Sequence, residues 1–210
     1  MKKMLLALAT CALCAVSADE TIIKLPAPNK KGGMPLMEAL ANRKTSRNFD
    51  AKAAVRPEVL GDLLWATWGY NRPGMRVAPT AINLQEFTLY VLKADGCWMY
   101  DAEKHALILT LPKDLRSATL GKINQPFVKD APITLVYVSD KTKATSLGNR
   151  DYSEMDTGFL AQNAYLYCAS AGLATVVRAS FPPTLAKEMR LKDNQYVTLC
   201  QCVGWPEKED

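Results

Sequence analysis

Residues 155–177 have the sequence MDTGFLAQNAYLYCASAGLATVV, which predicts a helix, a glycine turn and an extended segment. Apolar and small side chains surround the helix, and no charged residue follows Asp156 within it. A helix that is apolar on every side is buried on every side. We therefore expect a core helix between a sheet and a further layer, for which a second subunit is a candidate.

The end of this helix is marked by Gly172. A glycine after the last turn can adopt the left-handed conformation that closes a helix. The β-branched residues Thr175, Val176 and Val177 then favour extended backbone. The stretch thus predicts a helix that leads directly into a strand.

Alternating and apolar runs elsewhere predict the rest of the sheet. Residues 87–92, 97–100 and 106–111 predict an antiparallel meander whose first turn is Asp95-Gly96. Residues 131–139 are almost continuously apolar, which predicts a central strand, and residues 196–203 predict a last one. We expect an α+β fold with a central, mainly antiparallel sheet flanked by helices. The other predicted helices are residues 34–42, 56–68, 114–124 and 182–191, and the predicted loops are residues 70–84 and 141–154.

The first 18 residues are typical of a secretory signal peptide. Lys2 and Lys3 precede an apolar run of 13 residues, which is too short to span a bilayer. Val16-Ser17-Ala18 fits a cleavage site, so we expect cleavage after Ala18 and a periplasmic or secreted protein. A lipid anchor on Cys11 is the weaker alternative, because Leu8-Ala9-Thr10 matches a lipobox poorly.

The remaining chain is predicted to be an extended arm, residues 19–33, followed by one domain, residues 34–210. Cleavage removes two lysines and no acid and lowers the formal charge from +5 to +3. This charge is too small and dispersed to predict nucleic-acid binding. No other stretch is apolar and long enough to predict a membrane span.

Four cysteines remain after cleavage: Cys97, Cys168, Cys200 and Cys202. An even number in an oxidising compartment permits disulfides, and the sequence leaves their redox state open. We favour buried thiols, because Cys168 lies on the predicted core helix. A metal site is not predicted, since no histidine at ligand spacing accompanies them.

Several catalytic classes lack their residues. His105 is the single histidine and lies in a predicted turn, so we expect it to face solvent, and Ser-His-Asp and Cys-His schemes lose their base. No phosphate-binding P-loop and no G-x-G-x-x-G motif is present. Common hydrolases and nucleotide-dependent transferases are therefore not predicted.

Residues 43–47, Arg-Lys-Thr-Ser-Arg, place three cations and two hydroxyl groups directly after a predicted helix. Such a set can bind a phosphate and a second anionic group through charge-assisted hydrogen bonds. Taken alone, these residues favour a solvated basic turn, and the motifs in the rest of the chain favour the binding site instead.

The order of six motifs resembles the FMN-dependent nitroreductase family, in particular its minimal, single-domain branch related to thiazole/oxazole-forming dehydrogenases. No motif is specific alone, but together they span residues 34–206. The motifs are RKTSRNF at 43–49, APTAINLQ at 78–85, DAPITLVYV at 130–138, DTGFLAQN at 156–163, AGLAT at 171–175 and GWP at 204–206.

The resemblance implies an intertwined homodimer with the helix 155–171 at its interface and FMN bound between subunits. It assigns no catalytic side chain, since the flavin carries the chemistry. It places Arg43, Lys44 and Thr45 at the phosphate and Arg47 at the N1/O2 edge of the ring. The remaining implied contacts are Gln125, or failing it Asn124, at the pyrimidine edge, Gly172 and Leu173 near the ring, and Pro79, Thr80 and Asn83 from the other subunit.

One feature departs from the family pattern. Family members commonly carry a basic residue shortly after the terminal G-x-P, whereas here Gly204-Trp205-Pro206 is followed by Glu-Lys-Glu-Asp. Lys208 or Arg178 is a possible substitute, and a weaker phosphate grip is expected.

The implied function is oxidoreduction of a small organic acceptor such as a nitroaromatic compound or a quinone. Export separates the protein from NAD(P)H, so we expect a redox protein or a quinol as electron donor, or a dehydrogenation reaction that itself reduces the flavin. The alternatives are a flavin-binding module without turnover and a structural exported dimer that has lost FMN.

Overall fold

The computed structural model describes residues 20–145 and 150–208, and the predicted signal peptide lies outside them. Its main feature is an antiparallel sheet. The strands are β1 (Ile22–Lys24), β2 (Tyr70–Arg72), β3 (Met75–Arg76), β4 (Phe87–Lys93), β5 (Gly96–Asp101), β6 (Ala106–Leu111), β7 (Ile133–Asp140), β8 (Ala174–Arg178) and β9 (Gln195–Gly204).

Seven of these strands form one sheet in the order β1-β6-β5-β4-β7-β9-β8, and every neighbouring pair is antiparallel. The predicted meander β4-β5-β6 is confirmed. Strand β7 pairs on both sides, and seven of its eight residues are buried, which explains its nearly continuous apolar sequence. Strands β2 and β3 form a separate hairpin inside the predicted loop 70–84.

Helices cover both faces of the sheet. No helix in the described part of the chain is long and apolar enough to cross a membrane. The helices are α1 (Leu36–Asn42), α2 (Pro57–Trp68), α3 (Lys141–Ala144), α4 (Ser153–Ala171) and α5 (Leu185–Glu188).

The main core lies between the sheet and the layer formed by α2 and α4. Leu63 and Leu64 of α2, Leu135 of β7 and Leu160 of α4 are fully buried there. The indole N–H of Trp68 donates to the carbonyl of Phe87 over 3.1 Å, which joins the end of α2 to the start of β4. A second apolar cluster under α5 covers the opposite face of the sheet.

Helix α4 is less completely buried than predicted. Met155 and Phe159 are 59% and 49% exposed in the single chain, although Leu160 and Ala164 are fully buried. The three large apolar residues of α1, which packs on α4, are also exposed. One apolar face of the α1–α4 pair is therefore left uncovered by the chain itself.

Two other helix predictions need correction. Only Ser117–Thr119 of the predicted helix 114–124 is helical, as a 3-10 turn. The carboxylate of Asp114 accepts hydrogen bonds from the backbone and guanidinium of Arg116, and such local bonds compete with helix formation. The predicted loop 141–154 contains the short helix α3, whose first turn is capped by Asp140 accepting from Thr142 N–H at 2.9 Å.

The N-terminal arm packs on its own chain. β1 pairs with β6 at the edge of the sheet, and Met34 N–H donates to the Ser170 hydroxyl at 2.8 Å. His105 is half-buried rather than solvent-facing, with its Nδ1 2.9 Å from the Tyr100 hydroxyl and its carbonyl accepting from Leu25 N–H. The arm thus closes over the turn that contains His105.

Candidate functional site

The basic segment 43–47 is fixed at both ends. Arg43 follows α1, and its backbone N–H donates to the carbonyl of Ala39 in that helix. Three residues later, Ser46 N–H donates to the carbonyl of Thr175 in β8 at 3.0 Å. Phe49 is buried and bridges to Pro206 near the C-terminus. The segment therefore lies across the edge of the sheet instead of extending into solvent.

Tyr165 of α4 holds the middle of this segment. Its hydroxyl accepts from Val177 N–H at 3.0 Å and lies 3.0 Å from the hydroxyl of Thr45, to which its own proton can be donated. The guanidinium carbon of Arg43 lies 5.6 Å from the centre of the Tyr165 ring, within the range of a cation–π contact. One side chain thus connects α4, β8 and the basic segment.

A cavity of about 580 Å³ lies between the basic segment, the C-terminal half of α4, and β8. This volume is within the range of small-molecule and cofactor sites. Its walls include Arg43, Lys44 and Ser46 on one side, Tyr165, Gly172 and Leu173 on the other, and Thr175 at the base.

The cavity carries positive charge. Neither Arg43 nor Lys44 forms an ion pair with a carboxylate in residues 20–145 and 150–208. Both cations are therefore available to an anionic ligand, which they can bind through charge-assisted hydrogen bonds, roughly twice as strong as neutral ones.

Gly172 ends α4 in the left-handed conformation, with φ at 72°, as the sequence predicts. Leu173 N–H donates back to the carbonyl of Cys168 at 2.8 Å, which completes the cap. A Cβ atom at Gly172 would meet no atom within 4 Å, so the left-handed backbone, and not crowding, favours glycine here. The turn leaves backbone open to the cavity.

A hydrogen-bonded chain runs beneath the base of the cavity. The Tyr137 hydroxyl donates to Gln201 Oε1 at 2.6 Å, and Gln201 Nε2 donates to the Thr175 hydroxyl at 2.9 Å. Thr175 in turn donates to the carbonyl of Cys202. All of these side chains are buried, so the chain fixes the cavity-lining Thr175.

Four of the predicted ligand residues line this cavity, namely Arg43, Lys44, Gly172 and Leu173. Thr45 is beside it, bonded to Tyr165. Arg47 lies outside its walls, with the guanidinium 6.0 Å from the Phe127 ring.

Gln125 also lies outside the cavity walls, but its side chain has an unsatisfied acceptor. The Oε1 atom is buried and meets no donor in the described part of the chain. Buried polar atoms are nearly always paired, so this amide is a candidate to meet a donor supplied by a ligand or a partner.

Pro79, Thr80 and Asn83 do not line the cavity of their own chain. They lie on a tight loop in which Ile82, Asn83 and Gln85 all have positive φ, at 41°, 61° and 49°. Non-glycine residues rarely adopt this conformation, and surrounding contacts must hold it. The loop is therefore strained, and Pro79, Thr80 and Asn83 lie on it outside the cavity of the same chain.

The possible substitutes for the missing C-terminal cation do not reach the cavity. Pro206 and Glu207 line it, whereas Lys208 does not. Arg178 is buried, and its guanidinium donates to the carbonyl and hydroxyl of Thr119. Its Nε and Nη1 atoms are buried and meet no acceptor in the described residues. Because Arg178 does not line the cavity, the structure gives no support to it as the substitute for the missing cation.

Sequence reasoning missed Tyr165, Ser46 and Thr175 as site residues. Ser46 belongs to the basic motif RKTSRNF and Thr175 to the motif AGLAT, so the sequence contained a signal for both residues. In the sequence Tyr165 is one more residue of an apolar core helix, and only its tertiary contacts with Thr45, Val177 and Arg43 identify it.

The fold and the cavity define an α+β protein with a positively charged, cofactor-sized site beside a core helix. The nitroreductase family model matches residues 40–205. A curated protein of Methanocaldococcus jannaschii, provisionally named a nitroreductase, is 28% identical over 180 residues, covering 80% of this chain and 90% of that protein. The chain belongs to the nitroreductase family, whose members are FMN-dependent oxidoreductases.

Solved structures agree with this assignment. A provisionally named nitroreductase from Ralstonia eutropha JMP134 is 37% identical, with a TM-score of 0.82 and coverage of 93% of this chain and 94% of its own. An FMN-dependent nitroreductase from Clostridium difficile R20291 is 19% identical, with a TM-score of 0.59 over 83% of this chain and 89% of its own. At that identity the second likeness supports the fold alone.

Proposed function

We propose that two copies of this chain bind FMN between them and use it to reduce a small organic acceptor, such as a nitroaromatic compound or a quinone. The observation that carries the proposal is the cavity beside Gly172, where Arg43 and Lys44 have no ion-pair partner in the described residues. An anion with an attached planar ring is the kind of ligand that such a site accepts.

The residues present fit the phosphate end of FMN. Arg43 can donate two parallel hydrogen bonds to phosphate oxygens, while Lys44 and Ser46 add a charge and a hydroxyl donor. Tyr165 fixes the position of the segment before any ligand binds. Glu207 lines the cavity where the family resemblance implies a basic residue, so we expect a weak grip on phosphate.

The uncovered apolar face supports a dimer. Met155 and Phe159 of α4 and Leu36 and Met37 of α1 are 49% to 76% exposed in the single chain. Large exposed apolar side chains on two packed helices are typical of an interaction surface. A second copy on this face would bring its loop with Pro79, Thr80 and Asn83 toward a site that lacks them.

Bound flavin supplies hydride and electron transfer, and the protein supplies orientation and electrostatics. The buried chain from Tyr137 through Gln201 holds Thr175 under the ligand. Arg47, whose guanidinium carbon lies 6.0 Å from the centre of the Phe127 ring, is the cation we assign to the N1/O2 edge of the flavin, where it favours the reduced form. The unsatisfied Gln125 Oε1 is assigned to the pyrimidine donor.

The signal sequence supports export after cleavage behind Ala18, with a periplasmic or secreted location. Outside the cytosol NAD(P)H is not the expected donor, so a redox protein or a quinol fills that role. A cytosolic location for the native protein, together with rapid reduction by NADPH, would contradict both statements.

The absorption spectrum of the purified full-length protein tests the proposal most directly. A flavin spectrum is expected, and titration should give tighter binding of FMN than of riboflavin. Arg43→Ala should weaken FMN binding by about tenfold or more, the effect of losing a charged hydrogen bond, and leave riboflavin unchanged. Arg72→Ala, an exposed arginine of β2, is the matched control. A wild-type protein that binds no flavin would refute the proposal.

A flavin-binding module without turnover is the second candidate, favoured by Glu207 at the phosphate end. Anaerobic photoreduction followed by mixing with nitroaromatic or quinone acceptors separates the two. Reoxidation that depends on acceptor concentration supports the enzyme, and reduced flavin that persists supports the module.

A further inference from the structure

We propose that the protonated side chain of Glu86 donates a hydrogen bond to Asp156, and that this bond locks the strained loop 79–85 in the conformation needed for flavin binding. Both are positioning residues, because the geometry places them behind the loop and not in the cavity. The inference rests on the proposed function in one respect, namely that Pro79, Thr80 and Asn83 contact FMN.

The loop depends on Asp156. The backbone N–H of Ala81 donates to Asp156 Oδ2 at 2.8 Å, so a buried carboxylate of α4 holds the loop at its first turn. Ile82, Asn83 and Gln85, which follow, have positive φ. Residues in this conformation are strained and persist only where contacts enforce them.

Glu86 directly follows the strained residues and is 1% exposed. As a carboxylate it is unsatisfied, since neither of its side-chain oxygens meets a donor in the described residues. Burial raises the pKa of Glu86 to about 7, and the adjacent Asp156 adds to the rise. As a protonated acid Glu86 can donate to Asp156, which satisfies one group and holds the other in place.

The charged groups around Glu86 favour the protonated form. Asp156 and Asp151 face it from α4 and the segment before that helix, and both are acids. Asp140 of β7 contacts Glu86 through its backbone N–H. The nearest cation along the loop, Arg76, donates instead to Gln85 Oε1 and to the carbonyl of Trp68.

The sign of the pH dependence follows from these contacts. A carboxyl group whose pKa is higher in the folded loop than in the free chain stabilises the loop at low pH and loses that contribution as pH rises through about 7. The lock should thus be closed at pH 6 and largely released at pH 8. Because the protonated fraction falls from about nine-tenths to about one-tenth over that interval, the effect is about tenfold.

Hydrogen exchange of the full-length protein tests the lock without reference to flavin. Protection of residues 79–86, corrected for intrinsic exchange, should fall about tenfold between pH 6 and pH 8. Glu86→Gln, which donates permanently, should keep the pH 6 value at both pH values. Glu188→Gln, on α5, is the matched control and should behave as the wild type.

The affinity for FMN should follow the same profile, weakening between pH 6 and pH 8 in the wild type and not in Glu86→Gln. The inference is overturned if the hydrogen-exchange protection of residues 79–86 in the wild type is the same at pH 6 and pH 8. It is also overturned if that protection falls in Glu86→Gln as much as in the wild type. If the variant does not fold, carbon-13 NMR of the wild type labelled at glutamate decides: one carboxyl must titrate near pH 7. If the protein does not bind FMN but the protection of residues 79–86 still falls between pH 6 and pH 8, the proposed function is refuted. The hydrogen bond between Glu86 and Asp156 is then still supported.

Discussion

The hydroxyl groups of Tyr165 and Thr45 lie 3.0 Å apart, although 120 residues separate them in the chain. This contact joins the core helix to the segment that carries Arg43 and Lys44. The positions of the cavity cations therefore depend on the packing of α4.

Tyr165→Phe should weaken FMN binding about fivefold to tenfold, because the basic segment loses its anchor while Arg43 keeps a ring to stack on. The free energy of unfolding should fall by about 1 kcal/mol. Flavin fluorescence titration and urea unfolding measure the two effects. Tyr90→Phe, on the opposite face of the sheet, is the control, and equal FMN affinities in the two variants would contradict the anchoring role.

Arg47→Ala should lower the midpoint potential of the bound flavin. The loss of a charged hydrogen bond of about 1.5 to 3 kcal/mol corresponds to about 30 to 60 mV for a two-electron couple. Spectroelectrochemical titration of wild type and variant measures the difference. An unchanged potential with full flavin occupancy would remove Arg47 from the N1/O2 edge.

Phe159→Lys should convert the proposed dimer to a monomer and abolish tight FMN binding. The charge would stand on the uncovered apolar face of α4, where Phe159 is 49% exposed in the single chain. Sedimentation velocity gives the oligomeric state. Ile22→Lys, which alters an exposed apolar residue of the edge strand β1, should remain dimeric; an unaltered Phe159→Lys dimer would exclude this face as the interface.

Gln201→Leu should lower the free energy of unfolding by about 1 to 3 kcal/mol, because it leaves the buried Tyr137 hydroxyl without its acceptor. Adding Tyr137→Phe should recover part of the loss, since removing both partners costs less than removing one. Chemical unfolding of the two single variants and the double variant measures the coupling. Strict additivity would show that the bond contributes nothing.

The thiols of Cys97, Cys168, Cys200 and Cys202 should be inert in the native protein. All four are free and buried, and burial raises the pKa of Cys168 and Cys200 to about 12. Labelling with a thiol reagent at pH 8, on protein lacking residues 1–18, should be slow when folded and complete when unfolded. Rapid labelling of any of them in the folded state would contradict their burial.

The sheet could be predicted because its signals are local. The meander follows from apolar runs with a glycine turn at residues 95–96, and β7 follows from its continuous apolar sequence. The predicted helix 114–124 was wrong because local side-chain hydrogen bonds compete with the helical ones. The Asp114 carboxylate accepts a hydrogen bond from Arg116 N–H, and only a single 3-10 turn forms after it. Met155 lies on a helix predicted to be buried on every side, yet it is 59% exposed in the single chain. An apolar composition does not say whether a side chain is to be covered by its own chain or by a partner.

The site could be predicted in part for the same reason. Arg43 and Lys44 are adjacent in one short motif, so their proximity follows from the sequence alone. Glu86 and Asp156 are far apart in sequence and meet only because the loop between β3 and β4 folds onto the start of α4. A contact between residues so far apart depends on the tertiary fold, and the hydrophobic periodicity of the sequence does not predict it.

Asn83 lies on a loop that does not line the cavity of its own protomer, which contains Arg43. If each site takes Arg43 from one subunit and Asn83 from the other, two variants with weakened sites can restore one native site between them. A hybrid assembled from an Arg43→Ala chain and an Asn83→Ala chain would hold one doubly defective site and one that is wholly native. Activity would therefore return on mixing unfolded chains of the two variants and refolding them together, a complementation that a site built within a single chain could not give.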